Sequence, residues 1–376
     1  MCQGLVVQWY LRSRHEKTSL SHSEDRRFES ARAHLRRFKR FSVLSQTMKA
    51  SAVANANIAL VKYWGKRNDA LILPQNSNVS VTLDGLTATT TVEFDRKYGK
   101  DVFILDDREQ SGEELERVVA ILNILRKKAG IKHFAKVASE NNFPTAAGFA
   151  SSAAGGAALA LAASKAAGLN LDEKELSILA RINSGSASRS IAGGFVEWVK
   201  GKKEDGSDSY GVQIAGKEHW PEFRILACVL STEKKKIKSR AGMKQSVANC
   251  PFYPAWRETA EQDAQKMKEL IMENNFSEVG KLAEHNCLKM HATMMTTTPA
   301  IIYWNEKTVE LMHAIMNWRD EGLESYFTID AGPQIKIICL AKDVAEITKR
   351  VKALGVDTVM ECKPGDGAKT INKHLF

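Results

Sequence analysis

The sequence has no Cys-x-x-Cys pair among its six cysteines, no Gly-x-x-x-x-Gly-Lys-[Ser/Thr] loop and no run of 18 apolar residues. Each absence excludes something. Scattered single cysteines suit free thiols in a reducing compartment better than a disulfide framework or a zinc site. Without an apolar run of that length no transmembrane helix is expected. The nearest candidate, residues 146–163, is an Ala-rich stretch interrupted by Gly and Ser. A Walker-type phosphate loop is ruled out, and no Gly-x-Gly-x-x-Gly dinucleotide loop takes its place there. The composition, 44 % hydrophobic and 26 % charged, argues against a disordered or collagen-like chain.

The net charge of +10 loses its look of a nucleic-acid signal once it is located. Residues 1–47 hold ten Lys/Arg and four Asp/Glu, so +6 of the +10 lies there. The remainder is mildly basic, as suits a binder of small anions. Residues 1–47 lack sustained periodicity and read as a poorly ordered extension, dispensable for chemistry. Arg27-Phe28 followed by His34-Leu35 approximates an N-terminal peroxisome-type import pattern, with Phe as a departure. Otherwise a cytoplasmic location is expected. Met48 offers an alternative start.

Beyond residue 50 the pattern is α+β. Short strands are expected over 81–83, 87–94 and 102–105, with turns between. Leu115, Val118, Val119, Leu122 and Leu125 form one helical face. A strand over 134–139 precedes an Ala-rich helix over 151–167, ended by Gly168. Asp172 and Glu175 read as a capping box opening the next helix. Strands over 195–199 and 210–214 follow. The second half opens with a strand over 225–230. Helices then occupy most of 239–290 and 305–319, strands 327–329 and 335–340, a helix 344–353 and a strand 358–361. Mixed strands and helices in each half suggest two domains with a boundary near residue 220.

Four segments carry chemistry. Residues 144–155 place Gly148, Ala150, Ser151, Ser152 and Ala153 between a strand and a helix start. Free amides and the helix dipole there suit a phosphate. Lys62-Tyr63-Trp64-Gly65-Lys66 sets two lysines beside two aromatics. Ser184-Gly185-Ser186-Ala187-Ser188-Arg189 is a hydroxyl-rich turn with one arginine. Asp330-Ala-Gly-Pro333 puts a carboxylate at a strand-to-turn junction. Taken singly, each has a plainer reading: an Ala-rich buried helix, solvated lysines, a structural ion-pair arginine, a turn aspartate. Together they supply a kit for a nucleotide and a second, strongly anionic substrate. His285 and His291 have no carboxylate at ligand spacing, so no structural metal is expected.

The four segments, in this order, resemble the mevalonate diphosphate decarboxylase family. That family lies within the superfamily of galactokinase, homoserine kinase, mevalonate kinase and phosphomevalonate kinase. The resemblance runs from about residue 50 to 367. It implies a two-domain α+β small-molecule-kinase fold with the active site in the cleft between domains. The extension would span 1–47, the N-terminal domain 48–220 and the C-terminal domain 221–376. The implied activity is ATP- and Mg²⁺-dependent decarboxylation of mevalonate 5-diphosphate to isopentenyl diphosphate, through phosphorylation of the tertiary hydroxyl. The alternative is a kinase of the same superfamily that does not decarboxylate. By this resemblance Asp330 is the catalytic carboxylate, Lys62 lies close to the reacting groups and Arg189 grips the substrate carboxylate, with Asn57 near it. Tyr63, Trp64, Gly65, Lys66, Ser184, Gly185, Ser186, Ala187 and Ser188 line the substrate site. Arg117, Ser239 and Arg240 are further substrate contacts. Gly148, Ala150, Ser151, Ser152 and Ala153 serve the nucleotide phosphates. Mg²⁺ is expected on those phosphates, with Ser152 as a protein ligand. A homodimer with no nucleic-acid or membrane partner is implied. Phe149, Asn68, Ser188 and Gln334 depart from the family's usual residues without removing a reacting group, and Lys238-Ser-Arg240 differs from its usual hydroxyl-rich run.

Overall fold

The computed structural model describes residues 48–143, 151–233 and 235–376. The expectations for the extension 1–47, its import-type pattern, and Gly148 and Ala150 lie outside those residues.

Strands and helices are numbered separately in chain order. The first half runs β1 (Lys49–Val61), β2 (Lys66–Asn68), β3 (Leu73–Pro74), β4 (Asn78–Phe94), β5 (Val102–Leu105), β6 (Arg108–Glu109), α1 (Glu113–Ala129), β7 (Ala135–Asn141), α2 (Ser151–Ala166), α3 (Glu173–Asn183), a 3₁₀ turn (Gly185–Arg189), β8 (Phe195–Trp198) and β9 (Gly211–Ala215). The second half runs β10 (Phe223–Cys228), α4 (Ser239–Asn249), α5 (Tyr253–Met272), α6 (Phe276–Met295), α7 (Glu306–Asp320), β11 (Tyr326–Ile329), β12 (Ile335–Leu340), α8 (Val344–Ala353), β13 (Val359–Cys362) and β14 (Lys369–Ile371).

One eight-stranded sheet has the order β14-β1-β4-β7-β5-β6, with β8 pairing β4 and β9 pairing β8. A second, four-stranded sheet has the order β11-β12-β10-β13. Burial explains the packing. Ala52, Ala54, Val92 and Val137 meet Val118, Leu122 and the small residues of α2 in one core beneath α1–α3. Farther along β1, Ile58 and Leu60 join Met267, Ala283, Phe223 and Ile338 in a core shared by both halves. That shared core fixes the end of β1 against the second half, and there the site forms.

Two local readings change. The strands expected at 81–83 and 87–94 are parts of one strand, β4. The turn signal has a cause, because Asn55 pairs Thr87 while Asn57 pairs Thr82, so residues between them bulge out of the ladder. Asp84 and Gly85 are exposed on that bulge, and the Asp84 amide donates to the Lys363 carbonyl. The second change concerns the C-terminus. β14 pairs antiparallel with β1, so residues from beyond 362 complete the first sheet.

Candidate active site

Lys62 follows the last residue of β1, and Asp330 follows the last residue of β11, so each sheet contributes one partner. Lys62 Nζ donates to Asp330 Oδ1 at 2.7 Å and to the Ala59 carbonyl at 2.8 Å. Lys62 is 1 % exposed, whereas the Asp330 side chain keeps 31 % of its surface open to the cleft. Burial pushes the Asp330 carboxyl up. Lys62, Lys336 and Lys235 outweigh that and hold it well below the usual carboxylate range. Asp330 is therefore ionised throughout the physiological range.

The backbone of Lys62 is fixed at both its amide and its carbonyl. Its amide donates to Asn286 Oδ1 at 2.8 Å, and its carbonyl accepts from Asn76 Nδ2 at 2.9 Å. Asn286 is itself oriented by Asp263, to which its Nδ2 donates at 2.6 Å. Asp263 lies on α5 and Asn286 on α6, so the helical layer sets the register of Lys62.

Arg189 is 3 % exposed at the end of the 3₁₀ turn. Its Nε donates to Ser80 Oγ at 3.0 Å, its Nη2 to Asn57 Oδ1 at 3.0 Å, and its Nη1 to Asn78 Oδ1. All three acceptors are neutral. Asn57 is held in turn, its Nδ2 donating to Ser190 Oγ at 2.7 Å and to the Ser186 carbonyl at 3.0 Å. Burial lowers the guanidinium to about 10, partly offset by Asp330 and Tyr63, and it stays charged at neutral pH. Among the described residues no carboxylate lies within ion-pair distance of Arg189. A buried cation lined by neutral oxygens is a place for an anion.

Around these groups the aromatic segment is built for close packing. Tyr63 meets Trp198 edge-on at 4.8 Å, and among the described residues its buried hydroxyl has no partner. Burial pushes that hydroxyl well up, so it remains a donor. Trp64 is buried among Met243, Tyr253, Trp256 and Met290, and its carbonyl accepts from the Tyr253 hydroxyl at 2.9 Å. Gly65 adopts φ +103°, and a Cβ there would come within 1.7 Å of the Tyr253 hydroxyl oxygen. Gly65→Ala is therefore expected to destabilise the fold by about 2–4 kcal/mol, from left-handed strain plus overpacking, read as a lower urea midpoint. Lys66 Nζ meets Asp69 Oδ1 at 2.7 Å.

Close approach also assembles the hydroxyl cluster. Gly156 of α2 leaves no room for a side chain, since a Cβ would lie 2.8 Å from that of Ala187. The helix consequently seats on the 3₁₀ turn, and the Ser184 hydroxyl donates to Ser152 Oγ at 3.3 Å and lies 3.2 Å from Ser186 Oγ. Ser151 and Ser152 open α2, with Ala153 buried behind them. A cavity of about 300 Å³ adjoins them, lined among others by Thr90, Leu105, Arg117, Ser139, Asn141 and Leu159.

Arg117 and Arg240 share one carboxylate. Arg117 Nη2 lies 2.6 Å from Glu113 Oε1, and Arg240 Nη1 lies 3.4 Å from the same oxygen. Arg240 also donates to the Asn183 carbonyl at 2.8 Å. Ser239 begins α4 and is reached by Lys235 Nζ at 3.4 Å.

Two of the expected lining residues have buried side chains. Ser188 is fully buried and its hydroxyl donates to the Gly185 carbonyl at 2.7 Å, which closes the 3₁₀ turn. Ala187 is buried against Gly156. Gly185 forms a floor, with Trp198 and Tyr63 where its side chain would be. Several neighbours escaped sequence reasoning: Asn78 and Ser80 at Arg189, Asn286 and Asp263 behind Lys62, and Lys336 beside Asp330. For Lys336 the signal was present, a lysine inside the apolar strand Ile335–Leu340. His291 stacks on Trp304 at 4.7 Å, and burial lowers it to about 3, so its ring is neutral.

The chain is similar to known proteins along both of its halves. Residues 54–211 match the diphosphomevalonate decarboxylase-like N-terminal domain, and residues 225–369 match the mevalonate 5-diphosphate decarboxylase C-terminal domain. The diphosphomevalonate decarboxylase of Bos taurus is 39 % identical over 322 residues, covering 80 % of this chain and 79 % of the bovine one. The crystal structure of mevalonate diphosphate decarboxylase from Staphylococcus aureus superposes with a TM-score of 0.82 at 37 % identity, covering 86 % and 98 % of the two chains. A solved complex with MVAPP, AMPPCP and magnesium superposes with a TM-score of 0.82 at 39 % identity, covering 87 % of this chain and 100 % of the other. The chain belongs to the diphosphomevalonate decarboxylase family and has its two-domain α+β small-molecule-kinase fold.

Proposed function

We propose that the cleft carries out the ATP-dependent decarboxylation of mevalonate 5-diphosphate, and that its residues divide the work as follows. The observation that carries this reading is the buried Arg189, charged and surrounded by neutral acceptors, beside an ionised Asp330. The guanidinium has N–H groups left to take a carboxylate through parallel hydrogen bonds. Asn57, Asn78 and Ser80 fix its plane. Asp330 faces the tertiary hydroxyl and accepts its proton as the hydroxyl oxygen takes the terminal phosphoryl group of ATP; the bond from that phosphorus to the ADP oxygen breaks and ADP leaves. The C–O bond to that phosphate then breaks, and the electron pair of the C–C bond to the carboxylate becomes the new double bond. Phosphate and CO₂ leave, and isopentenyl diphosphate remains.

Charge drains from the carboxylate as CO₂ forms, so a cation held on it does not by itself favour the transition state. The contribution of Arg189 is alignment: it keeps the breaking C–C bond in line with the breaking C–O bond. Lys66, Tyr63, Ser184, Ser186, Ser239, Arg240 and Arg117 offer donors for the diphosphate. Among the described residues the Tyr63 hydroxyl and Arg117 Nε have no partner, and such a ligand satisfies them. The amides and hydroxyls of Ser151, Ser152 and Ala153 take the ATP phosphates, and the adjoining cavity takes the nucleoside.

Among the described residues no group of three or more His, Cys, Asp or Glu side chains is placed to hold a metal ion. The exposed Ser152 hydroxyl at the start of α2 is a hard oxygen donor. It fits Mg²⁺, an ion bound largely by phosphate oxygens and water, which supplies charge neutralisation on the phosphates when present. A homodimer and a cytoplasmic location, with the 27–35 pattern as the rival address, belong to the same proposal. Among the described residues no helix is long and apolar enough to cross a membrane.

The substrate series tests the reading. Offered mevalonate, mevalonate 5-phosphate and mevalonate 5-diphosphate with ATP and Mg²⁺, the chain is expected to release CO₂ with the last alone. ADP formation from either of the others without CO₂ would favour a superfamily kinase.

A further inference from the structure

Lys336 is buried on β12, 1 % exposed, in a strand whose other members are apolar or a cysteine. Burying an ammonium is costly unless a charge partner repays it. Ile335 and Ile337 point into the core beneath α7 and α8. Lys336 lies on the opposite face, paired across the sheet with Ala227 and Thr328. From there its Nζ lies 3.8 Å from Asp330 Oδ2, while Lys62 Nζ lies 2.7 Å from Oδ1. The two carboxylate oxygens thus have separate cationic partners, one from each sheet.

The start of β12 is braced to hold this geometry. Gln334 Oε1 accepts from the Leu230 amide and its Nε2 donates to the Ser231 carbonyl, tying β12 to the chain leaving β10. The Gln334 carbonyl faces Lys336 Nζ at 3.4 Å. A side chain one methylene longer than Asn makes the cross-strand reach.

We propose that Lys336 is a positioning residue for the phosphoryl-transfer step, holding the second oxygen of Asp330 so that the carboxylate keeps one rotation about its Cβ–Cγ bond. This rests on the reading of Asp330 as the group that meets the tertiary hydroxyl. With Lys62 alone, the carboxylate is anchored at one oxygen and can swing about that contact. With both lysines, the cleft-facing lone pair keeps a fixed direction, which is what a weak, crowded nucleophile requires.

The charge of Lys336 is what provides the hold, and it titrates in reach of experiment. Burial, with Lys62 and Lys235, pulls its ammonium down to about 8 against the raising effect of Asp330. The facing groups come from every neighbouring element. Asp330 lies in the turn after β11, Lys62 at the end of β1, Lys235 in the segment after β10, Cys287 on α6 and Cys228 on β10. Burial pushes Cys287 up to about 11 and Cys228 up to about 12, so both stay neutral thiols while Lys336 titrates. Lys336 is charged below its pKa and neutral above it, so the hold weakens as pH rises through about 8.

A double-mutant cycle on the full chain tests this. The measurements are kcat, KM for mevalonate 5-diphosphate and the pH profile of kcat, for wild type, Lys336→Met, Asp330→Asn and the pair. Lys336→Gln substitutes for Lys336→Met if the latter does not fold. Lys336→Met is expected to lower kcat roughly 10–100-fold, the scale of a misplaced reacting group. KM is expected to stay within about threefold, because the lysine touches Asp330 and not the substrate. The fall in wild-type kcat above pH about 8 is expected to vanish in Lys336→Met. Adding Lys336→Met to Asp330→Asn is expected to cause no further loss. Wild-type kcat in Lys336→Met, or losses that multiply in the pair, would overturn the positioning role. Wild-type turnover in Asp330→Asn alone would instead overturn the reading of Asp330 beneath it.

Discussion

Asp330→Asn is expected to lower turnover by roughly 10²–10⁴-fold, the usual range for a positioned acid or base, with ADP and CO₂ formation falling together. The amide keeps the shape of the side chain and removes its charge. What remains is an acceptor too weak to draw the proton of a tertiary alcohol, next to two buried lysines that have lost their shared partner. The two products must fall together because elimination requires the phosphate as leaving group. Normal ADP formation with an accumulating phosphorylated intermediate would place Asp330 after phosphoryl transfer and contradict the assignment. The same substitution carries a stability cost of about 1–3 kcal/mol. That figure is below the full value for a broken buried pair, because Asp330 is partly open to solvent and Lys336 can shed its proton. A modest drop in Tm with a large drop in kcat is the expected pairing.

Arg189→Lys is expected to lower kcat by roughly 10²-fold or more while leaving ATP binding little changed, since misalignment of reacting bonds has costs on that scale. The wild-type guanidinium spends its N–H groups on Asn57, Asn78 and Ser80 and still offers others to a carboxylate. An ammonium has three donors on one atom and no plane. It can satisfy the three buried oxygens or hold the substrate, and it cannot do both. Some of the loss therefore appears in KM for mevalonate 5-diphosphate as well. Isothermal titration with an ATP analogue separates the two sites. Wild-type kcat in the lysine variant would remove Arg189 from the reaction.

Local sequence chemistry explains why some elements were legible and others were not. The Asp172–Glu175 capping box forms as read, with the Glu175 amide donating to Asp172 Oδ1 at 2.7 Å. Helix α8 spans the residues its periodicity marks. Both signals are contained within a few residues of chain. The single long β4 was not legible, because its Asp84–Gly85 bulge has the composition of a hairpin turn. Only pairing with β1 and the approach of Lys363 show that the strand continues. At the site, Lys62, Arg189 and Asp330 were marked by motif. Their supports were not, since Asn286 lies 224 residues from Lys62 and Asn78 lies 111 residues from Arg189. Ser188 shows how a side chain in such a motif is used locally. A hydroxyl in a motif reads as a ligand contact, yet a 3₁₀ turn needs an acceptor filled, and the side chain turns inward to fill it.

The measurement closest to the central claim is a single turnover with enzyme in excess over mevalonate 5-diphosphate labelled at its carboxyl carbon, following ADP and labelled CO₂ in the same sample. Equal final amounts of the two, with CO₂ never ahead of ADP and none formed when ATP is left out, is the result this account predicts. A full equivalent of ADP without CO₂, or CO₂ released in the absence of ATP, would contradict it.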